Sequence, residues 1–263
     1  MDENSRKMIN EFIKVSKKGW VKSTADGWGS IGLTFEHEIG KSPDSKYLPD
    51  FDDIELKCSS RFSRYPMYLF AIAFDSRENE IIRLANKYGF NDPDYPDKKV
   101  LFRKVDNAIV AGNKYNFFLR VDRANEKVYL DVYSNDGDLL DNSAYITFES
   151  LKKHFETKLK KIAFIKASKK VVDGVMYYRY YQMKMYNSKD FNTFLNLIDN
   201  NMLVINLVAR VNKCGEDKGR YKNKSIVFAI RKDNLDKLFD CYYDYNLDNY
   251  NRDNMYRYNF RPF

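Results

Sequence analysis

Pro49-Asp-Phe-Asp-Asp-Ile-Glu-Leu-Lys57 is the stretch on which the reading of this chain turns. From Asp44 to Glu55, the carboxylates of Asp44, Asp50, Asp52, Asp53 and Glu55 are interrupted by one base, Lys46. Carboxylates this dense repel one another unless they are solvated or bridged by a cation. The alternation Ile54, Glu55, Leu56, Lys57 predicts a strand with Ile54 and Leu56 facing a core. Glu55 and Lys57 then project to the same side, roughly 7 Å apart along the chain. Asp50, just before the strand, can swing its carboxylate to the same edge. A hard divalent cation held by Asp50 and Glu55 would leave room for water and a phosphate oxygen. The ammonium of Lys57 could then orient or help deprotonate an attacking water and offset charge on a pentacovalent transition state. Glu36, one predicted helix earlier, offers a further carboxylate. The competing reading is a solvated acidic edge strand. The tripeptide Glu-x-Lys has no value alone, because it recurs as Glu156-Thr-Lys158 and Glu216-Asp-Lys218. Only the first copy follows Pro-Asp within an alternating strand, so Lys158 and Lys218 are expected to lie outside the site.

The chain has 263 residues, with 45 Lys plus Arg against 37 Asp plus Glu, a net charge of +8. That length fits one large domain or one unit with two lobes, here expected at about 1–170 and 171–263. The longest apolar run, Met67 to Phe74, is far short of the roughly 20 residues a membrane helix needs. The first residues carry no apolar segment of the secretory type, so no signal and a cytoplasmic place are expected. Three Cys without CxxC spacing make neither a disulfide framework nor a structural zinc site. Two His argue against a His-ligated catalytic metal. Positive charge together with 21 Tyr and 19 Phe suits a polyanion such as nucleic acid, or a soluble protein that happens to be basic.

Met8, Ile9, Phe12, Ile13 and Val15 predict a helix over Ser5 to Lys18. Ser30 is expected to cap a second helix that Gly40 ends, with a loop from Lys41 to Tyr47. Strands are expected at Pro66 to Phe74, Tyr115 to Val121, Lys127 to Tyr133, Ile162 to Ala167, Leu203 to Val211 and Ser225 to Arg231. Asp173-Gly174 signals a hairpin turn returning through Val175 to Tyr186. Further helices are expected at Arg77 to Tyr88, after a Thr147 cap, and near Asp190 to Ile198. The Tyr- and Asn-rich tail reads as a short helix and coil. This order of elements reads as α/β or α+β around a central mixed sheet.

Two runs, Gly29-Ser-Ile-Gly-Leu-Thr-Phe-Glu36 and Pro49 to Lys57, resemble the MvaI/BcnI family of type II restriction endonucleases. Further matches are Leu69-Phe70, Arg83 to Gly89, Asp141 to Leu151 and Lys158 to Ile165. The likeness runs in consistent order over about Gly19 to Arg231. It implies a PD-(D/E)xK restriction-endonuclease-like core, shared more distantly with the mismatch-repair nicking enzyme MutH, with a DNA-recognition lobe. Known relatives read CCWGG or CCSGG and cut one strand at a time as monomers. The resemblance therefore implies a nuclease that needs one or two Mg2+ ions and cuts double-stranded DNA. Its functional partner would be a DNA methyltransferase of the same restriction-modification system in a prokaryotic cell. Glu36, Asp50, Glu55 and Lys57 fall on the family's catalytic positions, with Asp50 and Glu55 as metal ligands. The alternatives are a MutH-like nicking enzyme and a non-catalytic DNA-binding protein.

The segment from Asn206 to Arg231 corresponds to the family's strand-loop-strand for reading bases. It departs from the family pattern, lacking its histidines and offering Asn206 and Val208 in place of an acid and an arginine, so no target sequence carries over. The loop is nonetheless rich in bases. Arg can read guanine bidentately and Asn adenine, which makes Arg210, Arg220, Arg231, Asn212 and Asn223 candidates for base reading. Lys213, Lys222 and Lys224 are candidates for phosphate contact, which adds affinity without sequence information. Elsewhere, His154 is expected to be solvated, Cys58 to be a packed thiol, and half of the stripe Tyr177, Tyr178, Tyr180, Tyr181 to pack on the sheet.

Overall fold

The Asp2 carboxylate accepts the Ser5 amide at 2.9 Å and starts the first helix, whose buried face is Met8, Ile9, Phe12 and Val15. In the computed structural model, residues 1–27, 29–41, 48–60, 65–105 and 107–247 are described, with Asn223 and Lys224 described in backbone only. Asp44, Lys46 and the end of the tail therefore lie outside the described residues, as do the side chains of Asn223 and Lys224. Along the chain come α1 (Glu3–Lys17), β1 (Val21–Lys22), α2 (Ser30–Glu38), β2 (Glu55–Ser60), β3 (Met67–Ile72), α3 (Glu80–Tyr88), β4 (Phe90–Asn91) and β5 (Lys99–Val105). There follow β6 (Tyr115–Asp122), β7 (Lys127–Ser134), β8 (Leu139–Thr147), α4 (Phe148–Leu159), β9 (Lys161–Val172), β10 (Val175–Ser188) and α5 (Phe191–Asp199). The last elements are β11 (Leu203–Val211), β12 (Tyr221–Ile230), a 3₁₀ turn (Lys232–Asn234), α6 (Leu235–Leu238) and β13 (Phe239–Asn246). The fold is mixed α+β, as expected.

Two units interleave along the chain. The first comprises 1–65, 157–188 and 239–263, and the second comprises 66–156 and 189–238. The boundary expected near residue 170 instead falls inside the β9–β10 hairpin. Those strands pair antiparallel along their length, so no unit boundary can pass between them. Asp173 (φ 49°) and Gly174 (φ 76°) form the turn, as the Asp-Gly pair predicts.

In the first unit, β2 pairs parallel with β9, Glu55 lying opposite Ile162 and Lys57 opposite Phe164. β10 follows β9, and its far edge takes β1 at Tyr177 and Tyr178 and β13 from Gln182 to Ser188. The tail thus begins as a strand, not as helix and coil, because β10 is longer than β1 can cover. Phe12, Phe35, Ile54, Ile165, Tyr180 and Met183 pack between the helices and this sheet. Three tyrosines of the expected stripe, Tyr178, Tyr180 and Tyr181, are buried, more than half.

The second unit has an antiparallel sheet in the order β3-β12-β11-β5-β4 and a meander, β6-β7-β8. Thr147 caps α4, its hydroxyl accepting the Ser150 amide at 3.2 Å. His154 is half-buried against Phe70 and its Nδ1 meets the Ser150 carbonyl at 2.9 Å, so it is not the solvated residue expected. No helix among the described residues is long and apolar enough to cross a membrane.

Candidate active site

The strand β2 positions two of the four expected residues directly. Ile54 is fully buried and Leu56 nearly so, which fixes the pleat and sends Glu55 and Lys57 to one face. Lys57 Nζ donates to Glu55 Oε1 at 2.7 Å. Both side chains are largely enclosed, with Glu55 8 % and Lys57 12 % exposed. A carboxylate this buried requires compensating donors. Lys158 Nζ supplies a second one, reaching Glu55 Oε2 at 3.1 Å. Lys158, expected to lie outside the site, therefore contacts one of its candidate carboxylates. The cause is topological: α4 ends immediately before β9, and the parallel register places the start of β9 beside the start of β2.

Asp50 sits on the approach to the strand. Its Oδ2 accepts the Leu56 amide at 3.1 Å, and its Oδ1 accepts Lys41 Nζ at 2.9 Å. Phe51 and Ile54 exchange backbone hydrogen bonds at 2.9 and 2.7 Å, closing the turn that brings Asp50 back to β2. Asp52 takes a positive φ of 50° in that turn.

Glu36 comes from α2. Gly29 stands at the N-cap position expected of Ser30. Ser30 is the first helical residue, its hydroxyl donating to the Gly27 carbonyl at 2.7 Å. The C-terminus closes as the glycine predicts. The Gly40 amide bonds the His37 carbonyl and the Lys41 amide the Glu36 carbonyl, both at 2.9 Å, with Gly40 at φ 79°. That closure delivers Lys41 to Asp50. Burial pushes the Cys58 thiol up, and the charges of Glu36 and Asp50 add to the shift while Lys57 opposes it. The thiol packs against the core of the first unit, as expected.

Asp53 belongs to a different cluster. Its carboxylate accepts Lys161 Nζ at 2.5 Å and Asn4 Nδ2 at 2.9 Å. Burial works against its ionisation, but those two bonds outweigh it and hold the pKa below the usual Asp range. Asp53 ties α1, β2 and β9 together rather than adding to the Asp50–Glu55 pair.

Among the described residues, no three His, Cys, Asp or Glu side chains converge as a ready-made metal cage. The donor set nonetheless fits a hard cation. It is all oxygen, it supplies two carboxylates at one strand entry, and Mg2+ uses one or two protein carboxylates and keeps several waters. The four oxygens of Asp50 and Glu55 already meet three ammonium groups and one amide.

The expected base-reading segment lies in the second unit, on β11, β12 and the loop joining them. Asn212 and the loop end close on each other, the Asn212 amide bonding the Arg220 carbonyl at 2.9 Å and the Gly219 amide the Asn212 carbonyl at 2.8 Å. Lys213 bonds Asp92, and Asp94 at 2.9 Å, so its charge is paired and ties the loop to the turn at Asp92. Lys98 grips the Gly219 carbonyl from the same side. Arg220 is 79 % exposed and pairs with Asp217, three residues before it, at 2.9 Å. Arg210 lies over the exposed Phe102 ring, 4.3 Å from its centroid, and is paired in register with Lys222. Arg231 is exposed just beyond β12. The Asp92–Asp94 anchor was not foreseen, since nothing in an Asp-Pro-Asp turn signals a partner in a distant loop.

Residues 9–239 match the MvaI/BcnI restriction endonuclease family. No curated protein matches the chain. The solved structure of restriction endonuclease MvaI in complex with its cognate DNA substrate is similar, at 25% identity and a TM-score of 0.84, covering 92% of this chain and 98% of that one. The structure of MvaI in the absence of DNA is similar in fold, at 23% identity and a TM-score of 0.57, covering 92% and 97%.

Proposed function

The chain belongs to the MvaI/BcnI restriction endonuclease family and is a type II restriction endonuclease, and on that footing we propose that it cuts both strands of duplex DNA at a short near-palindromic site as a Mg2+-dependent monomer. The observation that carries the reading is the Lys57–Glu55 contact at 2.7 Å beside Asp50, which is pinned to the Leu56 amide. Asp50 and Glu55 hold the ion. When bound, Mg2+ supplies Lewis acidity toward a phosphate oxygen and a water. Lys57, fixed on β2, orients the attacking water and offsets the negative charge that grows on the phosphate. Glu36 adds negative potential on the α2 side of the strand. The enzyme works on cytoplasmic DNA in a prokaryote, alongside a methyltransferase that protects host sites.

Pure protein incubated with supercoiled plasmid and Mg2+ is the test. One catalytic set per chain cuts one strand per engagement, so nicked circles should rise and then fall as linear fragments of fixed length appear. The rate per enzyme should not rise with enzyme concentration. Persistent open circles would point to a nicking enzyme, a mobility shift without cutting to a DNA-binding protein, and a tight dimer cutting both strands in concert would refute the monomer.

Base reading is placed on Arg210, Asn212, Arg220, Asn223 and Arg231, with phosphate contact at Lys222 and Lys224. A bidentate Arg–guanine pair contributes roughly 1–3 kcal/mol of discrimination. Arg210→Ala or Arg220→Ala should therefore narrow the gap between the cognate site and its one-base variants. Lys222→Ala should weaken all sequences alike and reduce the salt slope by about one. Cleavage of a cognate duplex and its single-substitution set at two salt concentrations separates these outcomes. An unchanged ranking of sites in both Arg variants would move base reading elsewhere.

A further inference from the structure

We infer that Lys158 is a positioning residue that holds the affinity of the catalytic centre for its divalent cation low, so that ion uptake depends on the negative charge that DNA brings. The inference rests on the reading of Asp50 and Glu55 as the ion's ligands. Glu55 has two oxygens, and Lys57 takes one of them on the same strand. Lys158 takes the other from a separate element, the last turn of α4. Its ammonium is held at a second point by the Leu48 carbonyl at 2.9 Å, and the side chain is 17 % exposed. A group anchored twice and shielded from solvent does not swing away freely when a cation arrives.

The charges decide the direction of the effect. Asp50 and Glu55 contribute two negative charges in direct contact with three positive ones, on Lys41, Lys57 and Lys158, and Glu36 adds a third negative charge from α2, so removing one ammonium leaves the centre net negative. A divalent ion entering among them meets repulsion at short range in a partly desolvated site, where charge interactions are strong. Lys57 has a task in the chemistry. Lys158 lies on the carboxylate oxygen turned away from Lys57, and its contribution is the charge and the fixed orientation it gives Glu55. A DNA phosphate entering the site adds negative charge and offsets that repulsion. Ion and DNA then favour each other's binding, as linkage requires.

The experiment measures Mn2+ binding to the full-length protein without DNA, by the loss of the free-ion electron paramagnetic resonance signal. Lys158→Gln keeps a donor for Glu55 and the Leu48 carbonyl but removes the charge. It should bind Mn2+ about tenfold more tightly. Lys158→Arg keeps the charge and should bind as the unaltered protein does, so a gain confined to the Gln variant, which a merely structural role for Lys158 would not give, marks the charge as the cause. Circular dichroism confirms that each variant is folded, and the Arg variant alone still tests the inference if the Gln variant is not. Equal or weaker Mn2+ binding by Lys158→Gln, or tighter binding by Lys158→Arg, overturns the inference. Asp50→Asn separates the two levels of the argument. If it leaves Mn2+ binding unchanged, the ion is not held by this pair, and the reading beneath the inference falls with it.

Discussion

Asp50→Ala is expected to abolish cleavage at any practical Mg2+ concentration while specific DNA binding in Ca2+ survives. If Asp50 holds the ion as proposed, loss of a carboxylate ligand at a site that uses only one or two of them would remove the ion, and with it roughly three orders of magnitude or more of rate. The structure adds a complication. Asp50 Oδ2 also accepts the Leu56 amide, so alanine leaves that amide without its partner at the head of β2 and frees Lys41 to reorient. An unmade bond to an enclosed amide costs about 1–3 kcal/mol. Asp50→Asn distinguishes the two effects, because its carbonyl oxygen can still accept the Leu56 amide while the charge is lost. Both variants should be equally inactive in single-turnover cleavage, and only the alanine variant should melt earlier. Near-normal cutting by Asp50→Asn would remove Asp50 from the site.

Much of this arrangement could be read from local sequence, and the reason is that its parts are local. The pleat of β2 follows from Ile54 and Leu56 alternating with Glu55 and Lys57, and an alternation of period two has one solution once one face is buried. The hairpin at Asp173-Gly174 and the closure of α2 at Gly40 follow from residues that tolerate positive φ. Ser30 misled because a serine before an apolar run signals an N-cap, whereas here its hydroxyl reaches back to Gly27 and also meets Tyr178 at 2.6 Å. β13 was missed for a different reason. Phe-Asp-Cys-Tyr-Tyr-Asp-Tyr-Asn carries the Asp and Asn that strands usually avoid, and it forms because β10 offers an open edge.

The long-range parts of the site left no local trace. Lys158 is 103 residues from Glu55, and a lysine in the last turn of a helix is ordinary, since it suits the helix dipole wherever it points. Only the parallel pairing of β2 with β9 gives it a target. The basic loop makes Lys213 a candidate for phosphate contact, and the fold adds partners for it in Asp92 and Asp94, from another part of the second unit. Asp53 looked like part of the acidic cluster and instead bonds Lys161, on the strand beside β2. In each case charge density along the sequence was correct, and the partner that decides its use came from elsewhere in the fold.

Lys57→Ala should lower the single-turnover cleavage rate by several orders of magnitude with little change in affinity for the specific site. Lys57 and Lys158 touch opposite oxygens of the same carboxylate, at 2.7 and 3.1 Å, so proximity to Glu55 does not separate their roles. Their supports do. Lys158 is tethered to the Leu48 carbonyl at the end of a helix. Lys57 extends from the strand that also carries Glu55, and the Leu56 amide between them holds Asp50 at the same strand. In the proposed mechanism an ammonium there would meet the reacting phosphate and its water, and charge that develops only in the transition state would be stabilised by a group already in place. Its removal should lower the rate and leave the ground-state complex nearly as tight, and raising Mg2+ should not restore it. Measuring the single-turnover rate across a Mg2+ series, with site affinity determined in Ca2+, checks both halves. An affinity loss as large as the rate loss would make Lys57 a phosphate anchor. Recovery at high Mg2+ would mean that its principal effect is on the ion held by Asp50 and Glu55.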